Sequence, residues 1–143
     1  MVYQTHVYVH DPHHGSYGDE AAEALGIDAA RVHKTLLAKV DDKWLVVAVV
    51  PVTGKLNLKA LAKAAGGKKA AMAEQAEAER STGYVVGGIS PLGQRKPLPT
   101  FIDGQARAHA TVYVSGGKRG FEIELSPADL AAATQARFAK LRV

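Results

Sequence analysis

Cysteine is absent from this 143-residue chain, and its absence excludes disulfides, thiolate metal sites and a cysteine nucleophile. The same absence fits a cytoplasmic protein. No run of about 20 apolar residues is present to span a membrane. The start, MVYQTHVYVH, lacks the basic and apolar regions of a signal peptide. Several motifs are missing too. Neither GxxxxGK(S/T) nor GxGxxG occurs, so a nucleotide-binding fold is not supported. No GxSxG elbow backs a triad built on Ser90 or Ser115. The early cluster His6, His10, Asp11, His13 and His14 matches no HExxH-like ligand spacing, and no thiolate can complete a structural zinc site.

What is present is enough for a core. The chain is 47% hydrophobic, and a domain of this size hides roughly 68–70% of its unfolded surface. A single domain spanning residues 1–143 is the expectation. Lysine and arginine number 18 against 14 acidic residues, giving a net charge of +4. That balance is compatible with a polyanionic partner without requiring one. The cations fall in doublets, Lys68-Lys69, Arg95-Lys96 and Lys118-Arg119, each beside glycine or proline and therefore on a turn. Ordinary solvated turns explain such doublets about as well as ligand contacts do.

The hydrophobic pattern predicts an α+β chain. Val2 to His10 alternates with strand periodicity, leaving one polar face. Asp19 to Leu25 reads as a short helix closed by Gly26. Arg31 to Val40 and the β-branched run Trp44 to Val52 read as a hairpin, the second strand covered on both faces. Asn57 caps a predicted helix that ends at Gly66-Gly67, and residues 68–72 and 73–80 read as a short strand and a solvated helix. Ala110 to Ser115 and Phe121 to Leu125 are strands joined by GGKRG. Ser126, Pro127 and Asp129 open a last helix running to about Lys140. Short strand-to-strand links favour a mixed, largely antiparallel sheet.

Three stretches carry candidate chemistry. In VHKTLL, Lys34 shares a face with Val32, Leu36 and Ala38. A lysine on an apolar face needs an anionic or polar partner, unless it snorkels to water. STGYVVGGISPLGQRK, with Gly83, Gly87, Gly88 and Gly93, looks like backbone laid closely against something, either a ligand oxygen or the sheet. YVSGGKRGFEIEL places Ser115 at a strand end beside a turn bearing Lys118 and Arg119, a reasonable phosphate contact. Glu122 and Glu124 share a face directed outward or into a polar cleft.

Together VHKTLLAKV, AVVPVTGKLNLKALAKAAGGKKAAMA, ERSTGYVVGGISPLGQRKPLPTFID and ATVYVSGGKRGFEIEL resemble the YbaK/EbsC family. Within it they are most similar to the bacterial trans-editing deacylases that clear Cys-tRNA(Pro). The resemblance implies a sheet curled into a partly closed barrel with surrounding helices, a pocket for the aminoacylated tRNA 3′ end, and neither metal, cofactor nor protein nucleophile. By position, Lys34 matches the essential lysine, Gly87 the loop glycine at the substrate carbonyl, Ser115 a pocket serine, and Tyr8 the aromatic before the His-Asp pair. Glu122 stands where relatives can have aspartate. The resemblance further implies a substrate-thiol mechanism, with amides near Gly87 and Gly88 stabilising the oxyanion. Arg95, Lys96, Lys118 and Arg119 would contact the acceptor end of tRNA(Pro), with prolyl-tRNA synthetase as partner. Alanine-specific editing and a non-catalytic tRNA-end module are the alternatives. Family members typically begin with a helix before the first strand; whatever it covers is expected to be exposed here or covered by a partner.

Overall fold

The computed structural model describes residues 1–13 and 16–143. Twelve elements follow in order: β1 (Tyr3–Val7), α1 (Tyr17–Leu25), β2 (His33–Val40), β3 (Trp44–Pro51), α2 (Leu58–Ala64), β4 (Ala70–Met72), α3 (Gln75–Thr82), β5 (Thr100–Asp103), β6 (Val112–Lys118), β7 (Phe121–Leu125), α4 (Pro127–Thr134) and β8 (Arg137–Ala139). The strands form two sheets. One is antiparallel in the order β1-β7-β6, and the other is mixed in the order β4-β2-β3-β5-β8. Among the described residues a parallel bridge, Val32 to Tyr113, links them. The expected single curled sheet is therefore divided, and neither half closes on itself as a barrel.

The core explains the mixed sheet. Val46 to Val50 of β3 are fully buried, each Val contributing on the order of 1.5–3 kcal/mol by leaving water. One cluster, including Leu37, Val49, Ile102, Val112 and Leu125, packs between the two sheets. A second, with Ala48, Val50, Leu61 and Leu141, lies under α2. Such a central strand needs cover on both faces and partners on both edges. The sequence pattern supplied only β2; β5 is the second partner, running parallel to β3.

Local chemistry fixes the helix ends. The Asn57 side chain accepts from the Ala60 amide at 3.1 Å, and Ser126 accepts from Asp129 at 3.1 Å. Helix α4 is shorter than expected. Gln135 adopts φ 54°, a left-handed stop, and the chain re-emerges as β8. Strand β1 and the residues just after it leave His6 and Tyr8 half-buried. Tyr3, Val7 and Val9 face solvent, at 58%, 79% and 94% exposure. Among the described residues no helix is long and apolar enough to cross a membrane.

Candidate active site

Strand β4 pairs with β2 only at residues 38–40. Past Leu37, whose carbonyl still accepts from the Ala73 amide at 3.0 Å, β4 no longer covers the outer edge of β2, and a cavity of about 540 Å3 lies against it. Its walls come from β2, from Tyr8 after β1, from Gln75 and Ala78 of α3, from Val86, Gly87 and Ile89, and from Ser115 and Glu122 of β6 and β7. Helix α3 is held over the opening by Lys39, whose ammonium lies 3.1 Å from Glu77.

Lys34, Tyr8, Gly87 and Ser115 therefore line one cavity although they come from four separate parts of the chain. Lys34 is half-buried, and among the described residues no hydrogen bond or ion pair engages its ammonium. Ser115 accepts from the Gly117 amide at 3.1 Å. A register irregularity between Ser115 and Lys118 lets the strand turn there.

The glycine-rich segment is laid first against protein. A Cβ on Gly88 would stand 2.8 Å from the Lys118 Cα, and one on Gly117 would stand 3.0 Å from the Tyr84 ring. The Gly88 amide donates to the Val85 carbonyl at 2.9 Å, and Gly88 does not line the cavity. Gly87 does, at φ 93°, a conformation that favours glycine. Two tethers hold this loop. The Val86 amide donates to Glu79 at 2.9 Å, and Arg119 donates to the Val86 carbonyl at 3.4 Å.

Arg119 also lies 3.2 Å from His10 Nε2, while His10 Nδ1 lies 2.6 Å from the buried Glu20 carboxylate. Arg119 thus has structural work to do. Arg95 and Lys96 are exposed on a bend, and Lys118 is exposed at the end of β6. His6 is occupied by Glu124 at 2.9 Å, and His14 lies outside the described residues.

Sequence reasoning did not select Glu122. The two glutamates of β7 separate in the fold: Glu124 pairs with His6 and Arg31, whereas Glu122 is buried in the cavity wall. Burial pushes its carboxyl up to about 7. Burial and the nearby Glu122 charge in turn raise the Tyr8 hydroxyl. The clue available in the sequence was alternation, which put Glu122 on the same face as Tyr113 and Ser115 across the hairpin.

The profile described as the aminoacyl-tRNA editing domain matches residues 12–133. The chain belongs to that family. It is 42% identical over 123 residues to EbsC of Enterococcus faecalis, named as a candidate Cys-tRNA(Pro)/Cys-tRNA(Cys) deacylase, covering 86% of this chain and 75% of that one. It is 35% identical over 104 residues to the proline–tRNA ligase of Shouchella clausii, 72% of this chain but only 18% of the ligase. A solved structure described as a candidate trans-editing enzyme for prolyl-tRNA synthetase superposes with a TM-score of 0.88 at 26% identity. That match covers 99% of this chain and 87% of the other.

Proposed function

We propose that this editing domain is a trans-acting deacylase that removes cysteine from mischarged Cys-tRNA(Pro). The observation that carries the reading is the cavity lined jointly by Lys34, Tyr8, Gly87 and Ser115. The similarity to EbsC supports a cysteinyl ester as substrate, and that to the proline–tRNA ligase supports tRNA(Pro).

The chain contains no thiol, but a cysteinyl ester brings one. In the proposed reaction the substrate Sγ attacks its own ester carbon, closing a ring of Sγ, Cβ, Cα and C. The bond from that carbon to the terminal ribose oxygen breaks, and the thiol proton passes to the departing ribose hydroxyl. Water then opens the released thiolactone. A well-oriented internal nucleophile has an effective molarity of about 10⁵–10⁸ M, so the protein's task is orientation and charge stabilisation. The Gly87 amide is assigned to the developing oxyanion; the Gly88 amide is already spent on Val85. Lys34 is assigned to the terminal nucleotide and its phosphate, holding the ester in the cavity. Ser115 and Tyr8 shape the pocket around the folded-back side chain.

This chemistry also protects Pro-tRNA(Pro). Excluding one methylene discriminates by only about 1–3 kcal/mol, whereas a proline ester has no side-chain thiol to attack with. The exposed Arg95, Lys96 and Lys118 are assigned to the acceptor stem, and prolyl-tRNA synthetase is assigned as the partner that supplies the remaining tRNA recognition.

Cys-, Ala- and Pro-tRNA(Pro) presented in parallel test the reading. Only the cysteinyl ester should be cleaved, and Lys34→Ala should lower its rate at least ~10²-fold with an unchanged circular dichroism spectrum. Cleavage of the alanyl ester at the same rate would overturn the thiol mechanism. No cleavage above buffer for any ester would overturn the enzyme.

A further inference from the structure

Hydrogen bonds along an antiparallel strand alternate from one edge to the other. The Val32 carbonyl accepts from Val52 at 2.9 Å, on the β3 side, and the Leu37 carbonyl accepts from Ala73 at 3.0 Å, on the opposite side. Odd-numbered residues of β2 therefore direct their main-chain groups away from β3. At Lys39 those groups meet β4. At Thr35 no strand is paired on that side among the described residues, because the β4 ladder starts at Ala38 and β6 touches β2 only through the Val32–Tyr113 bridge. Thr35 is buried, lines the cavity, and carries a hydroxyl that lacks a partner. A buried hydroxyl without a partner is an unmet hydrogen bond, and a strand edge without a paired neighbour is where a ligand's polar groups can be received.

We propose that the open edge of β2 at Thr35 receives the amino-acid part of the substrate as a neighbouring strand would be received. The inference rests on the deacylase reading and specifies how the cavity holds the ester. The substrate α-ammonium donates to the Thr35 carbonyl, and the ester carbonyl accepts from the Thr35 amide. The Gly87 amide meets the second lone pair of that carbonyl oxygen. Glu122, in the cavity wall without any ion-pair partner among the described residues, supplies the counter-charge for the ammonium. This is strand addition reduced to one residue.

The arrangement has a consequence for specificity. Main-chain recognition is common to all primary α-amino acids, so it leaves side-chain choice to the thiol and the pocket walls. It does, however, disfavour a substituted nitrogen. A ring carbon on the nitrogen, as in proline, stands where an N–H is wanted. The correctly charged product is thus rejected at the strand edge as well as by its missing thiol.

Three esters on tRNA(Pro) test this: cysteinyl, N-methylcysteinyl and 3-mercaptopropionyl, which keeps the thiol but has no nitrogen. Each enzymatic kcat/KM is divided by the same ester's rate in buffer, which removes differences in intrinsic reactivity. Both analogues should fall at least about tenfold below the cysteinyl ester, the scale of one charge-assisted hydrogen bond. A smaller loss for either analogue, with the cysteinyl ester cleaved, overturns edge recognition and leaves the deacylase reading standing. An inert cysteinyl ester overturns both.

Discussion

Ser115 and Glu122 are directly paired across the β6–β7 hairpin, and both line the cavity. The pairing sets a hydroxyl beside a buried carboxyl on one wall, while Lys34 approaches from a different sheet. Burial alone accounts for the raised Glu122 carboxyl; no cation offsets it. The lysine and the carboxyl therefore stand on separate walls of the cavity, with no ion pair between them among the described residues.

That separation makes Glu122 a titrating group with a stability signature. Its carboxyl sits at about 7 in the fold against an ordinary 4.5. Between those values the unfolded chain has released the proton and the native state has not, so stability falls as pH rises. His33 does the opposite. Its Nδ1–H donates to the Arg31 carbonyl at 3.0 Å and its Nε2 has no partner. Burial, with help from His109 and Arg142, lowers it from 6.5 to about 4. The native state refuses a proton that the unfolded chain accepts, so stability rises with pH over that window. Each effect is about 3 kcal/mol in full, and they oppose one another. Urea unfolding of Glu122→Gln from pH 4.5 to 7.5 should expose a rise with pH, and His33→Gln a fall, both relative to wild type. Profiles parallel to wild type would refute the assignment.

Gly88→Ala should damage the site from outside it. The new methyl would meet the Lys118 Cα at 2.8 Å, and backbone cannot swing away as a flexible side chain can. The loop must lift, carrying Gly87 with it. We expect a loss of about 1–3 kcal/mol in stability together with reduced kcat/KM for the cysteinyl ester. Wild-type melting and turnover in this variant would show that the two loops do not touch.

The cations should divide into two groups by salt dependence. Replacing Arg95, Lys96 or Lys118 with alanine should raise KM for tRNA. Each replacement should also flatten the dependence on log salt by about 1 for every phosphate no longer neutralised. Arg119→Ala should instead lower turnover at every salt concentration with the slope unchanged, since its guanidinium reaches the Val86 carbonyl and His10. Equal slopes for all four variants would remove the turns from the tRNA-facing surface.

The sequence disclosed the elements whose signals are local. Asn57 and Ser126 announced their helices, and the valine run announced a doubly covered strand. Strand β5 escaped because TFID is four residues long and its partners, β3 and β8, lie far along the chain. Strand β8 was hidden in an apparent helical tail, since Gln135 takes the left-handed turn that a glycine would have advertised. The site residues Lys34, Tyr8, Gly87 and Ser115 were legible mainly through family resemblance. Alternation correctly set Glu122 and Glu124 on one face, but only the fold separates a glutamate held by His6 and Arg31 from one left in a cavity. The glycine pairs were harder still. Close approach to a ligand and close approach to a hairpin impose the same residue, and Gly88 serves the hairpin.

Strand β4 is three residues long, and its brevity gives the pocket its shape. Had the segment kept its pairing for one more turn of the pleat, backbone would fill the space and nothing could enter. The binding site is in this sense an omitted rung of the ladder. A short peptidomimetic that restores that rung is the natural starting point for an inhibitor.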